Sequence, residues 1–592
     1  MPLTGPSPAA GLAPLLNAPG RRSTTRLGGA WHIIVDPYET GSVDYRGQPR
    51  AKTFGQNQKA TQRWELVEYD FDRSPTITVP GDWNSQRDDL LWYEGTIWYQ
   101  KSFAHRRKAR ARQFLYFGAA AARATVWLNG EKLGEHEGGF TPFCFEVTGR
   151  LKPTGNFVIV KVDNGRRREA IPTWNTDWWN YGGLTRDVLL VETPETFVRE
   201  AFVQLVPGST RELSGWIQLD GPAAAGTQVS LEIPKVKLKL TAVTGADGRA
   251  TFRASADVKL WSPDRPQLYD VVFAAGRDRL RETIGFRTVE ARGAQILLNG
   301  QPVFLRGISL HEEAPWRCGR IRDARECVRL LKAARELGCN FVRLAHYPHS
   351  EEMTRAADRL GLLVWSEIPV YWTIQWDNAG TLANARNQLA ENINRDRNRA
   401  SIIIWSVANE TPIGESRTAF LSTLVADVHS LDPTRLASAA LEHHYVDPTT
   451  VMIDDPLGEV LDVIGCNEYI GWYDGLPPKC DTITWKVSAD KPLVMSELGG
   501  DARAGKHGDK LTRFSEEYQA SLYQHQIAMC KRIPFLAGMS PWILYDFRSP
   551  RRPLAGVQDY WNRKGLLSNK GQKKKAYFVL KRYYDEMTRT KP

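Results

Sequence analysis

The sequence has few cysteines and no long apolar run, and both absences exclude whole classes of protein. Its 592 residues include seven cysteines. None stands in a CxxC pair or at metal-ligand spacing, so we expect thiols rather than a disulfide framework or a zinc site. No apolar run reaches the about 18 residues that a membrane-spanning helix needs. A phosphate-binding glycine loop and a dinucleotide fingerprint are also missing. The sequence therefore indicates no cofactor, no metal ion and no membrane.

The chain is basic, with a formal net charge of +11, but its basic residues are dispersed. The tightest run, residues 573–575, suits the solvated start of a helix better than a nucleic-acid surface. We therefore expect no nucleic-acid partner. A small acidic substrate is the second possible explanation of the net positive charge. The 20 tryptophans fit either flat platforms for sugars or the large aromatic cores of a β-rich protein. Residues 1–22 lack a basic-then-apolar signal pattern, so a cytoplasmic location and a periplasmic or secreted one after signal removal both stay open.

The pattern of strands and helices predicts a multidomain fold. Short alternating runs with a hairpin signal at Asn129-Gly130 predict a β-sandwich of jelly-roll type. A smaller set of alternating runs, such as 229–233, has the length of an immunoglobulin-like β-sandwich. From about residue 289, strand-like runs alternate with helical stretches such as 324–337, which predicts a (β/α)8 TIM barrel. We expect a flexible arm (1–25), a jelly roll (26–194), an immunoglobulin-like sandwich (195–288) and the barrel (289–592).

Two short apolar runs near the end of the chain each finish in a glutamate. Residues 402–408 precede Asn409 and Glu410, and residues 492–496 precede Glu497. Both runs have the composition of fully buried strands, and a parallel barrel builds its active site at the carboxyl ends of its strands. Two acids there can face each other across one pocket. A retaining glycosidase needs this pair, because one acid protonates the leaving oxygen and one carboxylate attacks the sugar.

Three segments resemble a known family in the same order along the chain. They are residues 134–143, residues 340–348 with Arg343 and His346, and residues 398–410. Together with the order of domains, they are similar to glycoside hydrolase family 2 over about 31–583. The resemblance is strongest to the β-glucuronidases of that family. It implies a retaining enzyme that cleaves terminal β-D-glucuronic acid from glucuronides by double displacement, without a cofactor or a metal ion.

The resemblance also implies roles for the residues at the two strand ends. Glu410 matches the general acid/base and Glu497 the nucleophile, while the amide of Asn409 would donate to the sugar 2-hydroxyl. Tyr469 stands where relatives have a tyrosine that contacts the nucleophile, and we expect Arg343 to support the nucleophile by an ion pair. Relatives often have Glu-Tyr-Gly at the nucleophile, whereas this chain has Glu497-Leu-Gly, which changes the pocket wall and keeps the carboxylate.

A second set of positions bears on the substrate. Asn562 and Lys564 match the amide and ammonium that hold the C6 carboxylate in β-glucuronidases, and a buried ammonium loses this role against a neutral sugar. Some β-glucuronidases have an arginine four residues before this asparagine, where this chain has Gln558, so the choice of uronic acid stays open. The arginines at 548, 551 and 552 lie close in sequence and are candidates to replace that contact, but we expect them to form a basic surface loop instead. The other implied substrate-binding residues are Asp177, His346, Asn467, Tyr473 and Trp542, the last as an aromatic floor.

Several alternatives stay open at this point. A β-galacturonidase or a dual uronidase of the same family is the nearest one, and a β-galactosidase would leave Asn562 and Lys564 without a role. A carbohydrate-binding protein with an inactive barrel is the alternative of another class, and the intact pair of Glu410 and Glu497 argues against it. The expected partner is a small glucuronide or an oligosaccharide. Relatives commonly form dimers or tetramers, so a homo-oligomer is also expected.

Overall fold

Two antiparallel sheets form the N-terminal β-sandwich in the computed structural model, which describes residues 15–60, 62, 64–65, 68–105 and 111–589. Apolar side chains such as Trp31 and Tyr99 are buried in its core. Asn129 (φ 53°) and Gly130 (φ 90°) close the predicted hairpin. The strands are β1 (Ser23–Arg26), β2 (Gly29–Asp36), β3 (Thr76–Val79), β4 (Thr96–Phe103), β5 (Ala111–Phe117), β6 (Arg123–Leu128), β7 (Glu131–Glu137), β8 (Phe143–Glu146), β9 (Asn156–Asp163) and β10 (Val188–Pro194). Their orders are β1-β10-β5-β8 and β3-β2-β4-β9-β6-β7.

The predicted flexible arm is wrong over residues 15–25, which pack against this sandwich. Leu15 and Leu16 are buried in a cluster with Phe114 and Tyr116. Strand β1 then pairs with β10 at the edge of the four-stranded sheet. The composition of the segment could not reveal this, because the partner surface lies about a hundred residues further along the chain. Residues 1–14 lie outside the described residues.

The middle domain is a smaller sandwich of seven strands, as the shorter alternating runs predict. Its three-stranded sheet has the order β11-β12-β15, and its four-stranded sheet has the order β14-β13-β16-β17. Side chains such as Ile217 and Phe273 form its core. The strands are β11 (Phe197–Leu205), β12 (Glu212–Asp220), β13 (Gln228–Ile233), β14 (Leu238–Val243), β15 (Arg249–Ser255), β16 (Tyr269–Ala275) and β17 (Asp278–Ile284).

Eight parallel strands close the C-terminal barrel. The first is interrupted at Gly307, where a Cβ would lie 2.4 Å from the ring of Phe341. The strands of this domain are β18 (Val289–Arg292), β19 (Gln295–Leu298), β20 (Gln301–Pro302), β21 (Leu305–Arg306), β22 (Ser309–Leu310), β23 (Glu313–Ala314), β24 (Gly319–Arg320), β25 (Phe341–Leu344), β26 (Leu363–Glu367), β27 (Ile402–Asn409), β28 (Leu436–Leu441), β29 (His444–Asp447), β30 (Thr450–Ile453), β31 (Val463–Asn467), β32 (Thr484–Val487), β33 (Leu493–Glu497), β34 (Leu536–Met539), β35 (Phe547–Arg548) and β36 (Trp561–Asn562). The barrel order is β21-β34-β33-β31-β28-β27-β26-β25-β22, and β21 and β22 are the two parts of the first strand.

Six α-helices cover the outside of the barrel. The first begins at the capping residue Asp323 and ends at Gly338, which has a φ of 102°. The connections before and after β31 contain the 3₁₀ helices Pro456–Glu459 and Pro477–Thr482 instead, each with proline in its first turn. No helix among the described residues is long and apolar enough to cross a membrane. The α-helices are α1 (Ala324–Leu337), α2 (Glu351–Leu360), α3 (Ala379–Asp396), α4 (Glu415–Leu431), α5 (Glu516–Cys530) and α6 (Lys575–Arg589).

The middle sandwich is anchored to the barrel just before strand β27. The amide of Asn398 donates to a backbone carbonyl of β11 at 2.7 Å. Arg399 and Arg355 both form ion pairs with Glu282 of β17, at 2.6 and 2.7 Å. Burial alone would raise the pKa of Glu282, but the two arginines outweigh it and lower the pKa to about 2. The strand that leads to Glu410 is therefore held at its start from outside the barrel.

Candidate active site

Glu410 and Glu497 both lie at the carboxyl ends of barrel strands. Strands β27 and β33 are buried along their whole length. Glu497 is the last residue of β33 and is 5% exposed. Glu410 follows β27 directly with a φ of 48°, a left-handed conformation that residues other than glycine rarely adopt. This backbone turn ends the strand and brings the Glu410 carboxylate to Asn467 at the end of β31.

A chain of hydrogen bonds joins the two glutamates. Asn467 Nδ2 donates to Glu410 Oε1 at 2.8 Å and to Asn409 Oδ1 at 3.2 Å. The guanidinium of Arg343 donates to the same Asn409 oxygen at 2.6 Å and to Glu497 Oε1 at 2.8 Å. The two carboxyl groups therefore face one pocket at the mouth of the barrel, separated by two amides and one guanidinium.

Trp372 holds the second oxygen of Glu410, and sequence reasoning missed this residue. Its Nε1 donates to Glu410 Oε2 at 2.7 Å. The loop that carries it pairs with the end of β27, since Trp372 N donates to the Asn409 carbonyl at 3.0 Å. The only signal in the sequence is that this loop follows Glu367, another acid at the end of a barrel strand. Glu410 thus has a donor on each oxygen while its side chain stays partly exposed.

Glu497 is held by one cation and one hydroxyl. Arg343 donates to Oε1 at 2.8 Å, which confirms the expected ion pair, and the Tyr469 hydroxyl donates to Oε2 at 2.6 Å. Burial raises the pKa of Glu497 above its usual range. The Arg343 cation opposes this rise and the Glu410 carboxylate adds to it. The effect of burial on the pKa of Glu497 is therefore larger than the opposing effect of the donors that stabilise its anion.

Glu367 shares Arg343 with Glu497. It accepts from Arg343 at 3.0 and 3.1 Å and is bonded to His346 Nδ1 at 2.9 Å. Burial alone would raise the pKa of Glu367, but Arg343 and His346 outweigh it and lower the pKa to about 2. Two carboxyl groups therefore contact one guanidinium, and Glu410 is the third carboxyl group of the pocket. The pocket therefore has a surplus of acidic groups.

The side-chain amide of Asn409 is fixed with its donor unused. Its Oδ1 accepts from Arg343 and Asn467. Its Nδ2 is buried and has no hydrogen-bond partner among the described residues. A buried donor without a partner costs about 1–3 kcal/mol, so this amide is poised to bind a ligand oxygen.

Aromatic rings form one side of the pocket. The Trp542 ring stacks on His346 with centroids 4.7 Å apart, and His346 stacks on Trp178 at 5.5 Å. Trp178 belongs to the N-terminal domain, so this wall joins two domains. His311 lies edge-on to Trp542 at 5.1 Å, and burial lowers the pKa of His311 well below its usual value. It is therefore a neutral member of the wall.

Lys564 lies at the other end of the same pocket. Its Nζ donates to the Tyr473 hydroxyl at 2.8 Å, lies 3.1 Å from Asp501 Oδ1 and is 5.4 Å from the centre of the Tyr469 ring. Burial alone would lower the pKa of Lys564, but Asp501 outweighs it and the pKa is raised. The ammonium is therefore buried and charged. Sequence reasoning missed Asp501, whose only signal is its place four residues after Glu497.

Asp177 belongs to the N-terminal domain, and its side chain contacts barrel residues near Lys564. Its Oδ1 accepts from Ser549 at 2.6 Å, and its Oδ2 accepts from Arg552 at 2.5 Å and from Asn562 at 3.1 Å. Both oxygens are therefore engaged by protein donors. The expected basic surface loop is wrong for Arg552, because 21% of its side chain is exposed and its charge is paired. The partner comes from another domain, which the local run of arginines could not show.

Tyr371 connects the two ends of the pocket. Burial raises the pKa of Tyr371 well above its usual value, and the charges of Asp177, Glu410 and Glu497 add to the rise. The Tyr371 ring packs against Trp178 and His346, with centroids 5.0 and 4.8 Å away, and its backbone pairs with Asn409. The acids of the barrel mouth and the cluster around Asp177 form one continuous site.

Comparison with known proteins identifies the family. A model of the glycosyl hydrolases family 2 TIM barrel domain matches residues 289–589, and one of the glycosyl hydrolases family 2 sugar binding domain matches residues 44–194. The chain belongs to glycoside hydrolase family 2. Asp177 and Trp178 lie in the match to the sugar binding domain, and the other residues of the site lie in the match to the barrel. The family 2 site is thus built by both matched segments.

Individual relatives of this family 2 chain cover most of its length. It is 27% identical to the β-glucuronidase of Paenibacillus borealis, with 96% of this chain and 97% of the relative aligned. It is 29% identical to the β-glucuronidase of Homo sapiens, with 87% and 86% aligned. Among solved structures, it is similar to the Bifidobacterium dentium β-glucuronidase complexed with coumarin-3-O-glucuronide, at a TM-score of 0.82 and 27% identity over 97% of this chain and 98% of that one. The multidomain fold expected from the sequence is thereby confirmed.

Proposed function

We propose that this chain hydrolyses terminal β-D-glucuronides with retention of configuration. The observation that carries the proposal is the position of Tyr469 between Glu497 and Lys564. Its hydroxyl donates to Glu497 at 2.6 Å, and its ring lies 5.4 Å from the ammonium. One pyranose can then present C1 to the carboxylate and a C6 carboxylate to the cation. The names of the relatives, and the glucuronide in the Bifidobacterium dentium complex, support the same class of substrate.

The two glutamates divide the chemistry. Glu497 attacks C1 while Glu410 gives its proton to the glycosidic oxygen, and the aglycone leaves with the electrons of the broken bond. Glu410 then takes a proton from water, which attacks C1 and releases Glu497. Two inversions at C1 retain the configuration. The partial exposure of Glu410 suits this role, because both the aglycone and the water must reach it.

The surroundings of the acids favour the charge that develops on the sugar. The transition state resembles an oxocarbenium ion, and two carboxylates, Glu367 and Glu497, share the single cation of Arg343 beside C1 while Glu410 carries its proton. Such fixed charges need no reorganisation during the reaction. The unpaired Nδ2 of Asn409 is the donor for the sugar 2-hydroxyl, a contact that strengthens as charge develops.

The acidic sugar is selected at the far end of the pocket. Lys564 is buried and charged, and Asn562 lies beside it with its amide on Asp177. A C6 carboxylate gains charge-assisted hydrogen bonds there. A neutral hydroxymethyl group offers the ammonium no such partner, and the difference corresponds to about 10- to 100-fold in kcat/KM.

Four 4-nitrophenyl β-glycosides that differ only at C4 and C6 test the proposal. The glucuronide should be hydrolysed fastest, ahead of the galacturonide, and both should exceed the glucoside and galactoside. Faster turnover of the galacturonide would favour that uronidase instead. A preference for the galactoside would contradict acid recognition, and no turnover of any substrate would indicate an inactive barrel.

Single substitutions test the catalytic roles. Glu410→Gln and Glu497→Gln should each lose orders of magnitude in turnover while the protein stays folded. Glu336→Gln makes the same chemical change on helix α1, where 59% of the side chain is exposed, and should keep most of the turnover. Proton NMR of the first product should show the β-anomer. Normal turnover in either strand-end variant, or an α-anomer, would remove the assignment.

We also propose that the chain assembles as a homo-oligomer, a dimer or a tetramer, as expected from its resemblance to relatives. Light scattering of the full chain measures this directly. A monomer at micromolar concentration would contradict it.

A further inference from the structure

The end of the pocket that would take the sugar carboxylate contains more acid than Lys564 can balance. Its ammonium is already paired with Asp501 at 3.1 Å. Asp177 is a second buried carboxylate in the same cluster, bonded to the amide of Asn562 at 3.1 Å. Two carboxylates against one ammonium give a net negative charge, which repels an entering uronate. A second cation is needed if an acidic sugar is to bind here.

Arg552 supplies that charge. Its guanidinium lies 2.5 Å from Asp177 Oδ2, the same oxygen that accepts from Asn562. Its charge opposes the rise in the pKa of Lys564 and contributes to the lowering of the pKa of Asp501, so it lies within the field of both. With Arg552 present, two cations balance two carboxylates. A uronate then meets a neutral pocket that is rich in donors.

The guanidinium also has a donor to spare. The Nε of Arg552 is buried and has no hydrogen-bond partner among the described residues. A guanidinium carries five N–H donors, and a buried charged donor without an acceptor is unfavourable. An acidic ligand would bring the acceptor that the protein does not supply.

The backbone of Arg552 is constrained by hydrogen bonds and by neighbouring prolines. Its N–H contacts the Ser549 carbonyl at 3.4 Å, and its carbonyl accepts from Tyr560 N at 2.8 Å. Pro550 and Pro553 restrict the backbone on either side. The side chain therefore leaves a constrained loop, and little conformational freedom is lost when a ligand binds.

We propose that Arg552 is a substrate-binding residue that makes this pocket accept a sugar carboxylate, with Asp177 holding its guanidinium in position. The inference rests on the proposed uronide hydrolysis. Lys564 and Arg552 then act as a pair of cations from two different loops. Asp177 positions the second cation rather than serving only as a ligand for sugar hydroxyls.

Competitive inhibition measures acid recognition separately from turnover. D-glucuronate and D-glucuronamide differ only in the charge at C6, and each is tested as an inhibitor of 4-nitrophenyl β-D-glucuronide hydrolysis. Arg552→Gln keeps a side chain that can still bond to Asp177 but removes the charge. The ratio of the inhibition constants, glucuronate over glucuronamide, should rise about 10- to 100-fold. Arg552→Lys keeps the charge and should recover most of the wild-type ratio.

Arg551→Gln is the matched control, because it removes one positive charge from the neighbouring position, where the side chain is bonded to Asn175. Its ratio should equal that of the wild type. A merely structural role of Arg552 would weaken both inhibitors equally and leave the ratio unchanged, and that result overturns the proposal. A wild-type protein without glucuronide turnover would instead contradict the proposed function itself. Circular dichroism confirms folding of each variant.

Discussion

The indole of Trp372 donates a 2.7 Å hydrogen bond to Oε2 of Glu410, and the amide of Asn467 donates to Oε1 at 2.8 Å. A carboxyl group with a donor on each oxygen has a fixed orientation. Because Glu410 itself has the left-handed backbone conformation that ends β27, these two contacts fix the position of its carboxyl group in the pocket.

Trp372→Phe should impair proton donation more than nucleophilic attack. The ring is kept and the hydrogen bond to Glu410 is lost, so we expect kcat/KM on phenyl β-D-glucuronide to fall about 10-fold. 2,4-Dinitrophenyl β-D-glucuronide should be hardly affected, because its leaving group needs no proton. Steady-state kinetics on both substrates measures the difference. Equal losses would show that Trp372 acts through sugar binding instead.

Tyr469→Phe should move the acid limb of the pH profile. Glu497 must be ionised to attack, and burial raises its pKa. Activity should therefore be lost on the acid side at a pH that is higher than the usual pKa of a glutamate. The Tyr469 hydroxyl stabilises the anion, and its loss raises the pKa of Glu497 further. The acid limb of kcat/KM should therefore shift to higher pH by about one unit. An unchanged limb, or a shift to lower pH, would assign it to another group.

The ion pair of Lys564 and Asp501 allows specificity to be separated from stability. Lys564→Met should lower glucuronide turnover about 100-fold and leave Asp501 as a buried unpaired charge, at a cost of about 3–5 kcal/mol in the free energy of unfolding. Adding Asp501→Asn should restore stability without restoring activity. Urea unfolding and kinetics on glucuronide and galactoside measure both effects. An equal loss on the two sugars would remove Lys564 from acid recognition.

Glu282 should make the anchoring of the middle domain pH-dependent. Its folded pKa of about 2 lies below the usual value, so its ion pairs stabilise the fold above the usual glutamate pKa, and this contribution is lost as the pH falls toward 2. Glu282→Gln should lower the free energy of unfolding by about 3–5 kcal/mol at pH 7. Thermal unfolding at pH 7 and pH 3 compares variant and wild type. The same deficit at both pH values would contradict the assignment.

Elements with a local pattern could be predicted from the sequence closely. The helical stretch expected at 324–337 is helix α1, because a capping aspartate and a glycine frame its amphipathic repeat. The hairpin at Asn129-Gly130 is present because these two residues adopt positive φ angles at little cost. The two apolar runs that end in glutamate are β27 with the following residue and β33. In each case the deciding interactions lie within a few residues.

Contacts between distant segments could not be predicted. Asp177 and Arg552 are separated by 375 positions. No local sequence pattern around either residue predicts their contact. Lys564 was expected in the pocket, but its pairing with Asp501 depends on how two strand-end loops approach each other. The packing of Leu15 and Leu16 against β5 has the same origin. A short sequence pattern specifies an element, whereas these pairs depend on the packing of whole domains.

Asp177 and Trp178 reach the barrel mouth from a domain that holds neither of the two acids. Replacing the N-terminal sandwich with that of a relative would therefore exchange part of the sugar cavity while both glutamates stay in place. The lining of this pocket can thus be varied through the N-terminal domain independently of the strand ends that bear Glu410 and Glu497.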